Sequence, residues 1–270
     1  MIKFENVGLA SPEQMEFIIQ GMRNPMNSWE KSDSDTDPDF YSLENIEIGS
    51  ADHSLMQRLS DAGTEHRKYM RMMPVYVRIT APLYWWKEFD TYKVGTVANS
   101  CSTMHKIAEK EFSLEDFSCE HLGVFIPAEK NDGVEDYQNL WIAALEETID
   151  YLNVARTFYN RETDPELKKK YWWQMIQLLP SSYNQTRNVM LNYEVLANIY
   201  RQRKNHKLDE WREFCKWIET LPYSELITVK KKPFSVLSPI LEPRYVYAQN
   251  ECISPDVDRI SEHLKTLWLR

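Results

Sequence analysis

Glycine is scarce in this chain, with seven in 270 residues. Folds that press backbone against a phosphate need glycine at that point, and neither G-x-G-x-x-G nor G-x-x-x-x-G-K-[ST] occurs. This argues against Rossmann and P-loop proteins. The four cysteines, at 101, 119, 215 and 252, form no C-x-x-C pair. A zinc ribbon or thioredoxin-type site is therefore unsupported, and a reducing intracellular compartment is the simpler reading. The six histidines show no H-x-H or H-x-x-x-H spacing, which argues against a metal site. No apolar run is long enough to span a bilayer, and residues 1–5 lack a signal-peptide core. Basic excess is also lacking: Lys plus Arg is 32, Asp plus Glu is 41, and the net charge is −9. Coating DNA needs the opposite balance, although a local anion pocket stays compatible with it.

What the chain has is aromatics, with Trp 9, Tyr 15 and Phe 10. They imply a dense core or flat surfaces for planar ligands. Ser11-Pro12-Glu13-Gln14 carries a capping box and a first-turn proline, which predicts a helix with Phe17, Ile18 and Met22 on one face. Residues 30–52 are acidic and polar and read as a mobile loop. Leu55, Met56, Leu59 and Ala62 recur at helical spacing before Gly63. From Tyr69 to Thr80 the period becomes two, with Met73, Val75, Val77 and Ile79 on one side of a half-buried strand. Ala81-Pro82 stops it, and Leu83 to Tyr92 reads as an aromatic helix. His121 to Pro127 reads as a second short strand.

The remainder reads as helical. One helix carries Tyr137, Trp141, Leu145, Thr148, Leu152 and Ala155, and a second runs from Asp164-Pro165 to near Leu179-Pro180. A long one is expected from Thr186 to Lys204, followed by one with Trp211, Phe214, Cys215 and Ile218. A last helix follows Ser254-Pro255. The pattern is an α+β domain over residues 1–220, with a C-terminal extension over 221–270.

Three groupings carry chemistry. Asn192 and Arg203 interrupt an apolar helical stripe with Val189, Leu196 and Ile199. Such groups are satisfied either by protein neighbours or by an anionic, carbonyl-rich ligand. His66, Arg67, Lys68 and Arg71 lie close together, as an anion site or as an exposed turn. The run Thr91 to Ser102 is rich in small hydroxyls around Lys93, suited to phosphate or to a plain connection. Cys101 has no evident base for nucleophilic work. In Trp85-Trp86 and Trp172-Trp173, neighbours point about 100° apart, so each pair is expected to give one core ring and one surface or interface ring.

Gly63 to Lys106 resembles the central segment of flavin-dependent thymidylate synthases. That family has a Gly-His-Glu-Ser/Thr element, a strand, Ala-Pro, an aromatic helix and an Arg-His-Arg-x-x-Ser motif. Here Glu65-His66-Arg67-Lys68 stands at the first element, Val75 to Thr80 is the strand, Ala81-Pro82 matches, and Leu83 to Asp90 is the helix. Leu179-Pro180 to Trp211 resembles a later segment, in which Asn192, Asn198 and Arg203 keep the family spacing. Thr91-Tyr92-Lys93 stands at Arg-His-Arg, and Thr96 at the motif Ser. A one-residue insertion puts Ser102 at the second Ser. Glu194 stands at a family Arg, Arg71 at a Glu, and Ile176 at another Arg. A carboxylate at 194 repels a phosphate rather than holding it.

The resemblance implies a small antiparallel sheet flanked by long helices. It also implies methylation of deoxyuridylate to deoxythymidylate, with FAD as cofactor, methylenetetrahydrofolate as carbon donor and NADPH as reductant. Catalytic roles fall on Arg203 and Lys93. FAD contacts fall on His66, Lys93, Thr96, Asn192 and Asn198, and contacts to the pyrimidine nucleotide on Arg203, Thr96 and Ser102. A cytoplasmic homotetramer in a bacterial or phage-infected cell is implied, with no membrane or DNA partner. Two other readings stand beside it: a flavoenzyme modifying another pyrimidine nucleotide, and a non-catalytic relative serving as a binding or structural subunit.

Overall fold

The computed structural model describes residues 2–36, 46–123 and 140–228, which lie in one compact unit, Met1–Val229. Its strands and helices in chain order are β1 (Lys3–Leu9), α1 (Pro12–Arg23), β2 (Asp35–Thr36), β3 (Ile46–Glu47), α2 (Ser50–Ala62), β4 (Pro74–Pro82), α3 (Leu83–Phe89), β5 (Val97–Ser100) and α4 (Thr103–Lys106). Then come α5 (Leu140–Arg161), α6 (Pro165–Leu178), β6 (Asn184–Asn192), α7 (Tyr193–Arg203), α8 (Asp209–Glu219) and α9 (Glu225–Thr228). The main sheet has the order β1-β4-β6-β5, antiparallel throughout.

The expected capping box at Ser11 is present: Ser11 accepts from the Gln14 amide while Gln14 accepts from the Ser11 amide. In β4 the alternation places Val75, Val77 and Ile79 in the core, with Tyr76 and Arg78 outward. The long helix expected over 186–204 is instead a strand and a shorter helix. Val189 and Leu191 alternate into the core as β6, and the chain turns directly into α7 at Asn192. The Asn192 side chain accepts from the Val195 amide, so it is the helix cap rather than a stripe residue. Two further strands of the main sheet, β1 and β5, were not expected. β1 escapes a period-two reading because a bulge between Glu5 and Gly8, with Asn6 at positive φ, breaks its alternation. β5 is a fully exposed edge strand of Val97, Ala98, Asn99 and Ser100, with no buried face to mark it.

The aromatic helix is shorter than expected and ends at Phe89. Both Trp85 and Trp86 are buried, contrary to the expectation of one surface or interface ring. Trp85 packs on Phe89 and Trp211 with ring centroids 5.0 and 4.8 Å apart, so α3 and α8 share one aromatic core. In the second pair, Trp173 is exposed while Trp172 is partly buried and donates to the Met104 carbonyl, pinning α4 to α6. A second core forms between α5, α6 and the 107–119 segment, around Phe112, Phe117, Leu152 and Met175. The buried α5 residues Leu145, Leu152 and Ala155 follow the expected stripe, whereas Trp141 is exposed.

The acidic segment is tied down where it is described. Asp52 is buried and accepts from Arg23, from the Ser32 and Ser34 hydroxyls, and from the Asp33 and Ser34 amides. Asp33 reciprocates by accepting from the Ala51 and Asp52 amides at the start of α2. The helix therefore begins at Ser50, inside the segment read as a loop. His121–Gly123 form a turn, and the rest of the strand expected over 121–127 lies outside the described residues. So does the terminal helix expected after Ser254. Residues 221–228 pack into the main core through Leu221, Leu226 and Ile227.

Candidate functional site

Helix α7 and the turn over residues 90–96 gather most of the expected site residues. Tyr92 donates to Gln202, and Arg203 donates through Nε to the Tyr92 hydroxyl at 2.8 Å. At the other end of the helix the backbone of Gly95 comes so close to Asn192 and Val195 that a Cβ there would lie 3.1 Å from Asn192 Nδ2. Gly95 is also at φ +76, so two independent reasons keep a side chain out. Lys93, Thr96, Asn192, Asn198 and Arg203 thus lie along one helix and the chain beside it. Ser102 does not. It caps α4 by accepting from the His105 amide, beyond the far end of β5.

The four basic residues near 66 do not converge. Arg67 turns inward, with Nε 2.8 Å from Glu194 Oε2, in charge contact without hydrogen-bond alignment. Arg71 donates to the Thr64 carbonyl. His66 stays exposed, 3.8 Å from Glu65.

A flavin at the expected place fits part of this donor set. Lys93 is exposed with no acidic partner among the described residues. The Thr96 hydroxyl is buried and lacks a hydrogen-bond partner there, so it is available to a ligand. Asn192 keeps Nδ2 for the same face. Asn198 and Arg203 are in part committed to protein partners. Asn198 Oδ1 accepts from both Arg201 and Gln202. Arg203 Nη1 donates to Glu88 at 2.7 Å, and its guanidinium lies 4.7 Å from the Trp211 ring centroid. Glu88 also accepts from Trp211 Nε1. Arg203 is the Arg of the protein-bonded reading.

A cleft of about 880 Å³ opens elsewhere, beside β4, β6 and α4. Its lining includes Lys3, Thr80, Ser102, Thr103, Tyr183 and Thr186, with Lys106 and the acids Glu115, Asp116 and Glu120. Thr80 and Thr186 hydroxyls are paired at 2.7 Å, which leaves one proton to donate onward. Burial, then Asp116, pushes the Tyr183 phenol up, so it stays a neutral donor at physiological pH. Lys110 ties up Asp116 at 2.8 Å. The cleft thus combines hydroxyls, amides, an aromatic edge, two lysines and three carboxylates, a lining suited to a polar, partly planar ligand. Apart from Cys101 and Ser102, the sequence did not single out its residues, because Lys3, Thr80, Thr103 and Tyr183 come together only through strand pairing.

Comparison with solved structures identifies the fold. The chain matches the flavin-dependent thymidylate synthase ThyX from Helicobacter pylori, complexed with FAD and dUMP, at TM-score 0.54 and 16% identity, covering 84% of this chain and 97% of that one. A second structure of ThyX from Helicobacter pylori with FAD and dUMP gives TM-score 0.54 at 14% identity, over 84% and 98%. The UMP/dUMP methylase PolB from Streptomyces cacaoi, bound with 5-Br dUMP, gives TM-score 0.50 at 13% identity, over 82% and 88%. The chain has the ThyX-like fold. No family model matches the sequence, and no curated protein matches it. Among the described residues no helix is long and apolar enough to cross a membrane.

Proposed function

We propose that the protein is a divergent relative of the flavin-dependent thymidylate synthases that acts on a pyrimidine nucleotide. Its reaction is methylation of deoxyuridylate to deoxythymidylate, with methylenetetrahydrofolate as carbon donor, FAD as cofactor and NADPH as reductant. The observation that supports this is the fold match over 84% of the chain to a synthase whose structure holds FAD and dUMP. A bound reduced flavin supplies hydride. Lys93, Thr96 and Asn192 would hold it, with His66 at the margin. We place the nucleotide in the cleft, against Ser102 and the hydroxyls of Thr80 and Thr186. A cytoplasmic homo-oligomer, a tetramer by the resemblance, completes the reading.

One observation favours a second reading. Arg203 and Asn198 are bonded within the chain, and Glu194 stands where an anion would need a cation. That suits a flavoenzyme acting on another pyrimidine nucleotide, or a relative that binds without catalysis. Flavin absorbance near ~450 nm in the purified protein, a property of the cofactor, separates flavoenzyme from scaffold. Absence of that band, with none on titration with FAD, rules out both flavoenzyme readings. Folate-dependent tritium release from 5-labelled deoxyuridylate then selects thymidylate synthesis. UMP turnover without dUMP turnover selects the other nucleotide.

A further inference from the structure

We infer that Thr103 donates to an acceptor oxygen of the ligand in the cleft, and that Arg187 and Gln185 impose this role on it. The inference rests on the cleft being the nucleotide site.

Arg187 Nη1 donates to Asp90 at 2.7 Å, and its guanidinium lies 4.2 Å from the Trp86 ring centroid, so the side chain is held on two sides. Its Nε donates to Gln185 Oε1 at 2.9 Å. A guanidinium can only donate. The oxygen of the Gln185 amide must therefore face Arg187, and the NH₂ must face the other way. That NH₂ reaches the Cys101 carbonyl at 3.2 Å and the Thr103 hydroxyl at 2.7 Å. The carbonyl can only accept, so both amide protons are fixed. Thr103 Oγ1 accepts from Gln185, which turns its own proton elsewhere. No other partner of that hydroxyl occurs among the described residues, and Thr103 lines the cleft.

The chain runs from a cation through an amide to a hydroxyl, each link donating to the next. Such a series strengthens its last donor. With Gln185 already donating to it, the hydroxyl points its proton at the cleft, where it donates to a ligand carbonyl or phosphate oxygen. Asp90 and Arg187 touch no ligand in this scheme. They are positioning residues, and they join the 90–96 turn to the lip of the cleft.

The test is calorimetric titration of dUMP, deoxyuridine and deoxycytidine monophosphate against the full chain and its variants. Thr103→Val should weaken dUMP about tenfold, the loss of one hydrogen bond, and Thr103→Ser should restore it. Arg187→Met should weaken it similarly, and the double variant should be no worse than Thr103→Val alone. If the tenfold loss persists with deoxyuridine, the acceptor is a base carbonyl. If it vanishes, the acceptor is the phosphate. Full additivity of the two variants, or no loss in Thr103→Val, overturns the inference. If the wild type binds no nucleotide at all, the placement of the substrate fails instead. The relay is then read by NMR, with the Gln185 side-chain NH₂ resonances shifted in the wild type and collapsed in Arg187→Met. Identical resonances in the two overturn the relay as well.

Discussion

Arg67 on the segment before β4 and Glu194 in the first turn of α7 lie 2.8 Å apart, with side chains only 10% and 14% exposed. In the resembled family a cation is expected at the position of Glu194. The carboxylate there is not left exposed to repel a ligand, because Arg67 neutralises it from within. Replacing Glu194 by Ala leaves a nearly buried guanidinium uncompensated and should cost about 3 kcal/mol. Arg67→Glu combined with Glu194→Arg should recover part of that loss. Urea unfolding of the two variants beside the wild type measures both effects. A single variant as stable as the wild type would show that the pair contributes nothing.

The Asp52 clamp gives stability a definite pH dependence. Burial by itself would raise this carboxyl, but the Ser34 and Ser32 hydroxyls and Arg23 outweigh it and hold the carboxyl below its usual range. A depressed folded-state value means the stabilisation is present above the unfolded value of about 3.9 and is lost as pH falls through the lower folded one. Asp52→Asn should remove that dependence. It should also cost about 3 kcal/mol at neutral pH, since Arg23 is left buried without a counter-charge. Thermal unfolding of both proteins from pH 7 to pH 3 checks this, and the two curves should converge at the acid end.

The cysteines should differ sharply in reactivity. Cys215 is buried, and burial followed by the nearby Glu219 pushes its thiol up to about 12. Cys101 is exposed in the chain that follows β5. Because the thiolate is the reactive form, iodoacetamide at pH 8 should label Cys101 in the folded protein and reach Cys215 only after unfolding. Mass spectrometry of the peptides reads this directly, and native labelling of Cys215 would contradict the packing of α8.

Legibility in the sequence followed the strength of local signals. The α1 cap, the α6 start at Asp164-Pro165 and the alternation in β4 are local, and each is present. β6 was hidden because Val189, Asn192, Leu196 and Ile199 also satisfy a helical period. Only the cap role of Asn192 breaks the tie. The pairing of Trp85 and Trp86 misled for another reason: Trp211 of α8 covers Trp85, while Arg187 and the Gln185 carbonyl of β6 cover Trp86, so both rings are buried.

The candidate site was legible as a line of residues on α7, and its saturation was not. Glu88, which takes up Arg203, is 115 residues away in the chain, and no spacing rule links them. The cleft was legible only at Cys101 and Ser102, because its lining is assembled from β1, β4, β6 and α4 by sheet register.

The central claim is that the nucleotide binds in the cleft and not at Arg203. Titration of dUMP into the wild type, Thr103→Trp and Arg203→Gln tests it most directly, with circular dichroism confirming that each is folded. The account predicts saturable binding of dUMP to the wild type, loss of binding when the tryptophan fills the cleft, and retention in Arg203→Gln. Binding that survives Thr103→Trp and disappears in Arg203→Gln would contradict it.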